Sequence, residues 1–209
     1  LSRAETRSHG SSSRPQHGGV LPHRWEEARR RILLISRRSL PAWLLAVPMN
    51  MSTWGASPNI LQFAAAHAGC ACAPTDPRAE VAYRLSSSVS YLAMPVAAYL
   101  SLRCPTHSLR HLAILAAIQA GCFLLEVAGV AAAPAMTCSD GAVGVLIIAV
   151  FTMRGIDTYV TTMLYRVVSQ IFEEDRDLQA GASYTFGALL CVSTFAATIL
   201  CYSLVDRKE

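Results

Sequence analysis

Between Ser39 and Leu204 the chain runs five times over for about twenty residues with at most two charges, the length needed to cross roughly 30 Å of hydrocarbon. Several such tracts in succession leave too little polar surface for water. Charged residues make up 15% of the 209, against roughly 25% in a soluble domain, and mean hydropathy is +0.35. The sequence therefore predicts an all-α polytopic membrane protein rather than an apolar soluble bundle, with the lipid bilayer as its solvent. The spans are expected at 39–62, 81–102, 111–133, 142–164 and 182–204, with a short tail at 206–209.

Residues 1–38 carry nine arginines against three glutamates. They lack the aromatic or capped-helix pattern of a nucleic-acid binder, so no nucleic-acid partner is expected. They read as a disordered basic cytoplasmic tail, with 24–38 forming a short interfacial helix against anionic headgroups. The chain opens on Leu1 without the apolar stretch and small-residue cleavage site of a secretory signal, and that opening reads as a truncated start. With the N-terminus inside, ten arginines flank the cytoplasmic span ends, against three arginines and a lysine outside. This bias predicts an extracellular C-terminus. Cys70, Cys72 and Cys138 then share the oxidising side, where Cys138 can reach Cys70 or Cys72, whereas Cys122, Cys191 and Cys201 read as small buried hydrophobes.

The first span holds Pro41, Pro48, Gly55 and Pro58, and a helix broken this often in lipid must have its freed backbone groups satisfied by protein or water. Its polar side chains, Asn50, Ser52, Thr53, Ser57, Asn59 and Gln62, belong on an interior or cavity wall, because an unpaired amide in hydrocarbon is costly. Asn50-Met51-Ser52 matches a glycosylation sequon too deep in the span to be used. Trp54 can stack on a flat solute. In the second span the run Ser86-Ser87-Ser88-x-Ser90 allows close helix approach and hydroxyl bonds across the contact.

Arg154 and Asp157 lie three apart in the fourth span, on one helix face. They are expected to pair, either to fix register or to take part in ligand contact or gating, with Tyr159 extending the same surface. Glu126 can bind Arg154 in place of Asp157, couple to proton movement, or approach the outer headgroups. No nucleophile–base spacing and no glycine-rich nucleotide motif is present, so neither catalysis nor a cofactor is expected. His67 with Cys70 and Cys72 gives three ligands at unusual spacing, which argues against a metal.

Three segments carry a family resemblance. Asn50-Met-Ser-Thr53-Trp-Gly55-Ala-Ser-Pro58-Asn-Ile-Leu-Gln62 resembles the Asn-x-x-Thr-Asn-Gly-x-x-Pro segment in the seventh helix of eukaryotic riboflavin transporters. Ala82-Tyr83-Arg84-Leu85, continuing through Tyr91 and Pro95 to Tyr99, resembles the eighth helix of that family. Gly155-Ile-Asp157-Thr158-Tyr159-Val160-Thr161 is similar to Gly-x-x-Ser-Tyr-Val-Lys in the tenth. The resemblance implies the C-terminal helix bundle of an eleven-helix carrier in the plasma membrane, completed by six upstream helices and carrying riboflavin or a related polar heterocycle. A carrier for a nucleoside or amino acid, or a truncated non-transporting membrane protein, are the alternatives. Trp54, Met94, Arg84 and Thr161 depart from the family pattern, and Arg154 and Asp157 add charges that the pattern lacks.

Overall fold

The computed structural model describes residues 20–68, 77–131 and 140–206. Among them, α1 (Val20–Asn50), a π-helical segment (Met51–Ala56) and α2 (Ser57–Ala68) follow one another without a break. After these come α3 (Pro77–Arg103), α4 (Leu109–Ala131), α5 (Asp140–Ile171) and α6 (Arg176–Asp206), with no strand among the described residues. Five of these runs are long and apolar enough to cross a membrane. The protein is an all-α polytopic membrane protein.

Local chemistry sets several of the ends. Pro77 opens α3, where a missing N–H costs nothing, with Glu80 in its first turn and Arg103 in its last, as the helix dipole favours. Asp175 caps α6, its Oδ1 accepting from the backbone N–H of Asp177 at 3.0 Å and of Leu178 at 3.1 Å. The interfacial helix expected over 24–38 is not separate, because α1 runs through it into the first span. The apolar run from Trp25 to Ala68 covers 44 residues, about 66 Å of helix, twice what the hydrocarbon needs. Its arginine-bearing N-terminal part therefore projects beyond the apolar slab. Cys70, Cys72, Cys138 and the loops around them lie outside the described residues.

Helix α5 is the hub, packing on α1, α2, α3, α4 and α6. Helix α3 meets it along a stripe of buried small residues (Ala79, Ala82, Ser86, Ser90, Ala93, Ala97, Ser101) that lets the backbones close in. The serine hydroxyls do not bridge the helices as expected. Ser86 donates to Ala82 O at 2.8 Å, Ser90 to Ser87 O at 2.6 Å and Ser101 to Ala98 O at 2.7 Å, all within α3. A hydroxyl in lipid finds its nearest acceptor one turn back on its own helix. The outward faces are apolar, with Leu92, Leu102, Leu124, Ile148, Val192 and Phe195 each more than 60% exposed, a surface suited to lipid.

The interior divides into two apolar clusters. One gathers Ile35, Ala46, Met49, Leu112, Val160, Leu164, Val168 and Phe186. The other gathers Leu61, Ala64, Ala65, Ala82, Leu146, Val150 and Met153. Along the first span the residues between the clusters are 50–60, and along α5 they are 154–159. These intervals hold the buried polar side chains Asn50, Thr53, Ser57, Arg154 and Asp157, so a polar layer separates two apolar cores.

Candidate functional site

The layer starts from the broken backbone of the first span. Pro58 has no N–H to give, and the helix widens just before it, with the N–H of Ser57 donating to Ser52 O five residues back. Pro41 and Pro48 sit on the exposed side of α1 and leave the helix continuous. Carbonyls at the widened turn find other donors. Met49 O accepts from Ser52 Oγ at 2.8 Å and from Gln119 Nε2 at 3.0 Å. Gly55 O accepts from Asn59 Nδ2 at 2.8 Å and from Thr198 Oγ1 at 3.4 Å. Protein groups thus satisfy the break, as hydrocarbon requires.

Other helices clamp this segment. Asn50 Nδ2 donates to Leu190 O at 2.9 Å, reaches Ser193 Oγ at 3.5 Å, and donates to Thr194 Oγ1, all on α6. Gln119 Nε2, from α4, donates to Thr53 Oγ1 at 2.5 Å and reaches Ser52 Oγ at 3.3 Å. Gly55 is where α6 crosses closest: a Cβ there would meet Ala197 Cβ and lie 2.9 Å from Thr194 O. Only glycine permits that approach.

Three buried charges complete the layer: Glu126 at 1% exposure, Arg154 at 2% and Asp157 at 2%. The expected Arg154–Asp157 ion pair is not formed. Asp157 Oδ2 accepts from Trp54 Nε1 at 2.7 Å, while the Arg154 guanidinium lies over the rings of Tyr91 at 4.4 Å and Trp54 at 5.1 Å. The indole N–H reaches the carboxylate, and the guanidinium, a flat and weakly hydrated cation, rests on aromatic faces instead. Glu126 Oε1 accepts from Ser57 Oγ at 3.0 Å, within electrostatic reach of Arg154 but without contact. Glu126 is buried inside the bundle. The ion pairs found among the described residues are Arg31–Glu27 and Arg84–Glu80, both exposed and on one helix.

Asn50, Thr53, Trp54, Glu126, Arg154 and Asp157 therefore come together, as an interior surface should. Asn59 spends its amide on its own helix. Gln62 is exposed on the outer face of α2, away from the side that Asn50 and Thr53 share. Tyr159 donates to Cys104 O at 2.5 Å and lines an apolar groove of about 440 Å³ between α3 and α5, next to the layer rather than in it. Ser57, read in the sequence as an interior residue, joins them through Glu126, whereas Gln119, Tyr91 and Thr194 belong to the constellation but do not stand out as sites in the sequence. Gln119 and Ser57 show there as polar exceptions in apolar tracts. Nothing in the spacing of the α6 hydroxyls sets Thr194 apart.

Several polar atoms in the layer are buried without a partner: Gln119 Oε1, Glu126 Oε2, Asp157 Oδ1, and Nε and Nη1 of Arg154. Such atoms are expensive to leave unmade. Together they hold unpaired acceptors and donors in one layer with an indole and a phenol ring. A family model described as solute carrier family 52, riboflavin transporter, matches residues 8–207. The chain belongs to the riboflavin transporter family. No curated protein and no solved structure matches it significantly. Membership makes this riboflavin transporter homologue a multi-pass membrane protein of a transport family with a small-molecule substrate.

Proposed function

We propose that the protein carries riboflavin across the plasma membrane and that the polar layer is the surface riboflavin touches on its way. The observation that carries this reading is the set of buried, unpartnered donors and acceptors placed between two apolar cores, beside Trp54 and Tyr91. Riboflavin brings a flat ring for the aromatic faces and an imide with both N–H and C=O groups for the orphaned atoms. Asn50 and Thr53 hold the widened turn against α6 and α4, and Trp54 and Asp157 meet the ring system. Glu126, with one oxygen unspent, is the candidate for proton coupling, while Asn59 and Tyr159 shape the layer's edges. Gln62 would meet substrate only in another state of the carrier.

The N-terminus with its basic segment 1–38 is placed in the cytoplasm, the bundle 39–205 in the membrane, and the C-terminus with 206–209 outside, on the arginine bias. Six helices upstream would complete the path. Uptake of labelled riboflavin by cells expressing the full-length protein tests the substrate class. Competition by unlabelled riboflavin and by lumichrome, but not by uridine or leucine, is expected. Competition by uridine or leucine alone would point to the nucleoside or amino-acid carrier. No uptake at normal surface expression would point to a protein that does not transport.

A further inference from the structure

The position of Arg154 is unusual for a buried cation. Its Nε and Nη1 have no hydrogen-bond partner, and no carboxylate among the described residues lies within the 4.0 Å of an ion pair. It rests instead on two aromatic rings, at 4.4 Å from the Tyr91 centroid and 5.1 Å from that of Trp54. Two acids share its layer, each held at one oxygen only. Asp157 is engaged by Trp54 and Glu126 by Ser57, so that Asp157 Oδ1 and Glu126 Oε2 remain without a partner. One cation and two acids are thus buried together and kept apart, in a medium where pairing is strongly favoured.

A guanidinium is planar, delocalised and prone to stack on aromatic faces. In shape and preference it imitates a piece of a flat heterocycle. Asp157 stands three residues further along α5, on the same helix face, where a change of Arg154 rotamer would bring the two groups together. Tyr91 is half exposed at 51%, with Arg154 over one face of its ring.

We propose that Arg154 is a resident placeholder: its guanidinium covers the faces of Trp54 and Tyr91 until a planar substrate takes those faces and sends it onto the free oxygens of Asp157 and Glu126. This rests on reading the polar layer as the surface that riboflavin touches. The ion pair formed on arrival offsets only part of the ring contacts that are lost. It also gives the loaded protein an interaction that the unloaded one lacks, the differential contact that any ligand-driven change of state needs. Selection follows directly. A molecule with a flat ring can displace the guanidinium, whereas a sugar alcohol or an aliphatic amino acid has nothing to offer the rings.

The test is riboflavin affinity by equilibrium dialysis against the purified full-length protein, comparing wild type with Arg154→Met, Arg154→Lys and Asp157→Asn. Methionine keeps the stem's bulk without the charge. Lysine keeps the charge for the carboxylates but cannot lie flat on two rings. Both are expected to lower the Kd by roughly two- to fivefold, the part of the ring contacts that the new ion pair leaves unoffset. Asp157→Asn, which removes the guanidinium's destination, is expected to raise it. Weaker binding in both Arg154 variants would mean that Arg154 grips the substrate directly, and unchanged binding would make it a bystander. Either result overturns the placeholder. If the methionine variant does not fold, the lysine variant decides alone. If wild type binds no riboflavin, the functional reading fails, and the same series with lumichrome, a bare flat tricycle, still decides whether Arg154 yields to a ring.

Discussion

Gly55 shows how closely single side chains are fitted in this bundle. A methyl group there would press on Ala197 Cβ and lie 2.9 Å from the carbonyl of Thr194. Both neighbours sit on a packed helix that can yield only by moving away. Gly55→Ala should therefore cost about 1–3 kcal/mol, the usual range for overpacking, and lower the thermal midpoint in detergent by several degrees. Gly121 is the control, since a Cβ on its outward face meets nothing within 4 Å, and Gly121→Ala should leave the midpoint unchanged or raise it. Equal losses at both positions would mean that α6 does not cross at Gly55. The sequence showed Gly55 only as one of four helix breakers. Its contact with α6 depends on a partner 142 residues away, which no local pattern reveals.

At the scale of elements, the membrane helices were legible because apolar tracts of spanning length have few other fates. The run Ser86 to Ser90 announced a close helix approach on α3, but not that α5 is the helix it meets. The π segment was not legible. Pro58 announced a disturbance, but whether a helix answers proline with a kink, a gap or a widened turn depends on which donors stand nearby. Here Gln119 and Thr198 supply them from other helices. The same limit explains the Arg154–Asp157 pair. Three-residue spacing put both groups on one face, yet Trp54 Nε1 reached the carboxylate and two rings took the guanidinium. Orientation is an element-scale expectation with a direct check at Cys104, which is exposed between α3 and α4. With the other cysteines replaced by serine, a membrane-impermeant maleimide should label Cys104 in inside-out vesicles and not in intact cells. Labelling of intact cells would invert the topology.

Across the whole molecule, two apolar cores hold a polar layer whose buried atoms are not all satisfied. A protein selected only for stability would have paired or removed those groups, because each costs free energy in low dielectric. Groups kept unpaired in a membrane interior are what the proposed path for a polar solute would use. The match over residues 8–207 places the chain in a riboflavin transporter family, and the proposed path runs through this layer. The most direct test is the initial rate of labelled riboflavin uptake, normalised to surface expression, for Trp54→Leu, Asp157→Asn and Gln62→Leu in the full-length protein. Trp54→Leu and Asp157→Asn should each slow uptake by about tenfold or more, equivalent to about 1.4 kcal/mol. Gln62→Leu, on the outer face, should stay within about twofold, below 0.5 kcal/mol by the same conversion. Wild-type rates in both layer variants, with uptake lost in Gln62→Leu, would contradict the account and move the path to the other face of the first span.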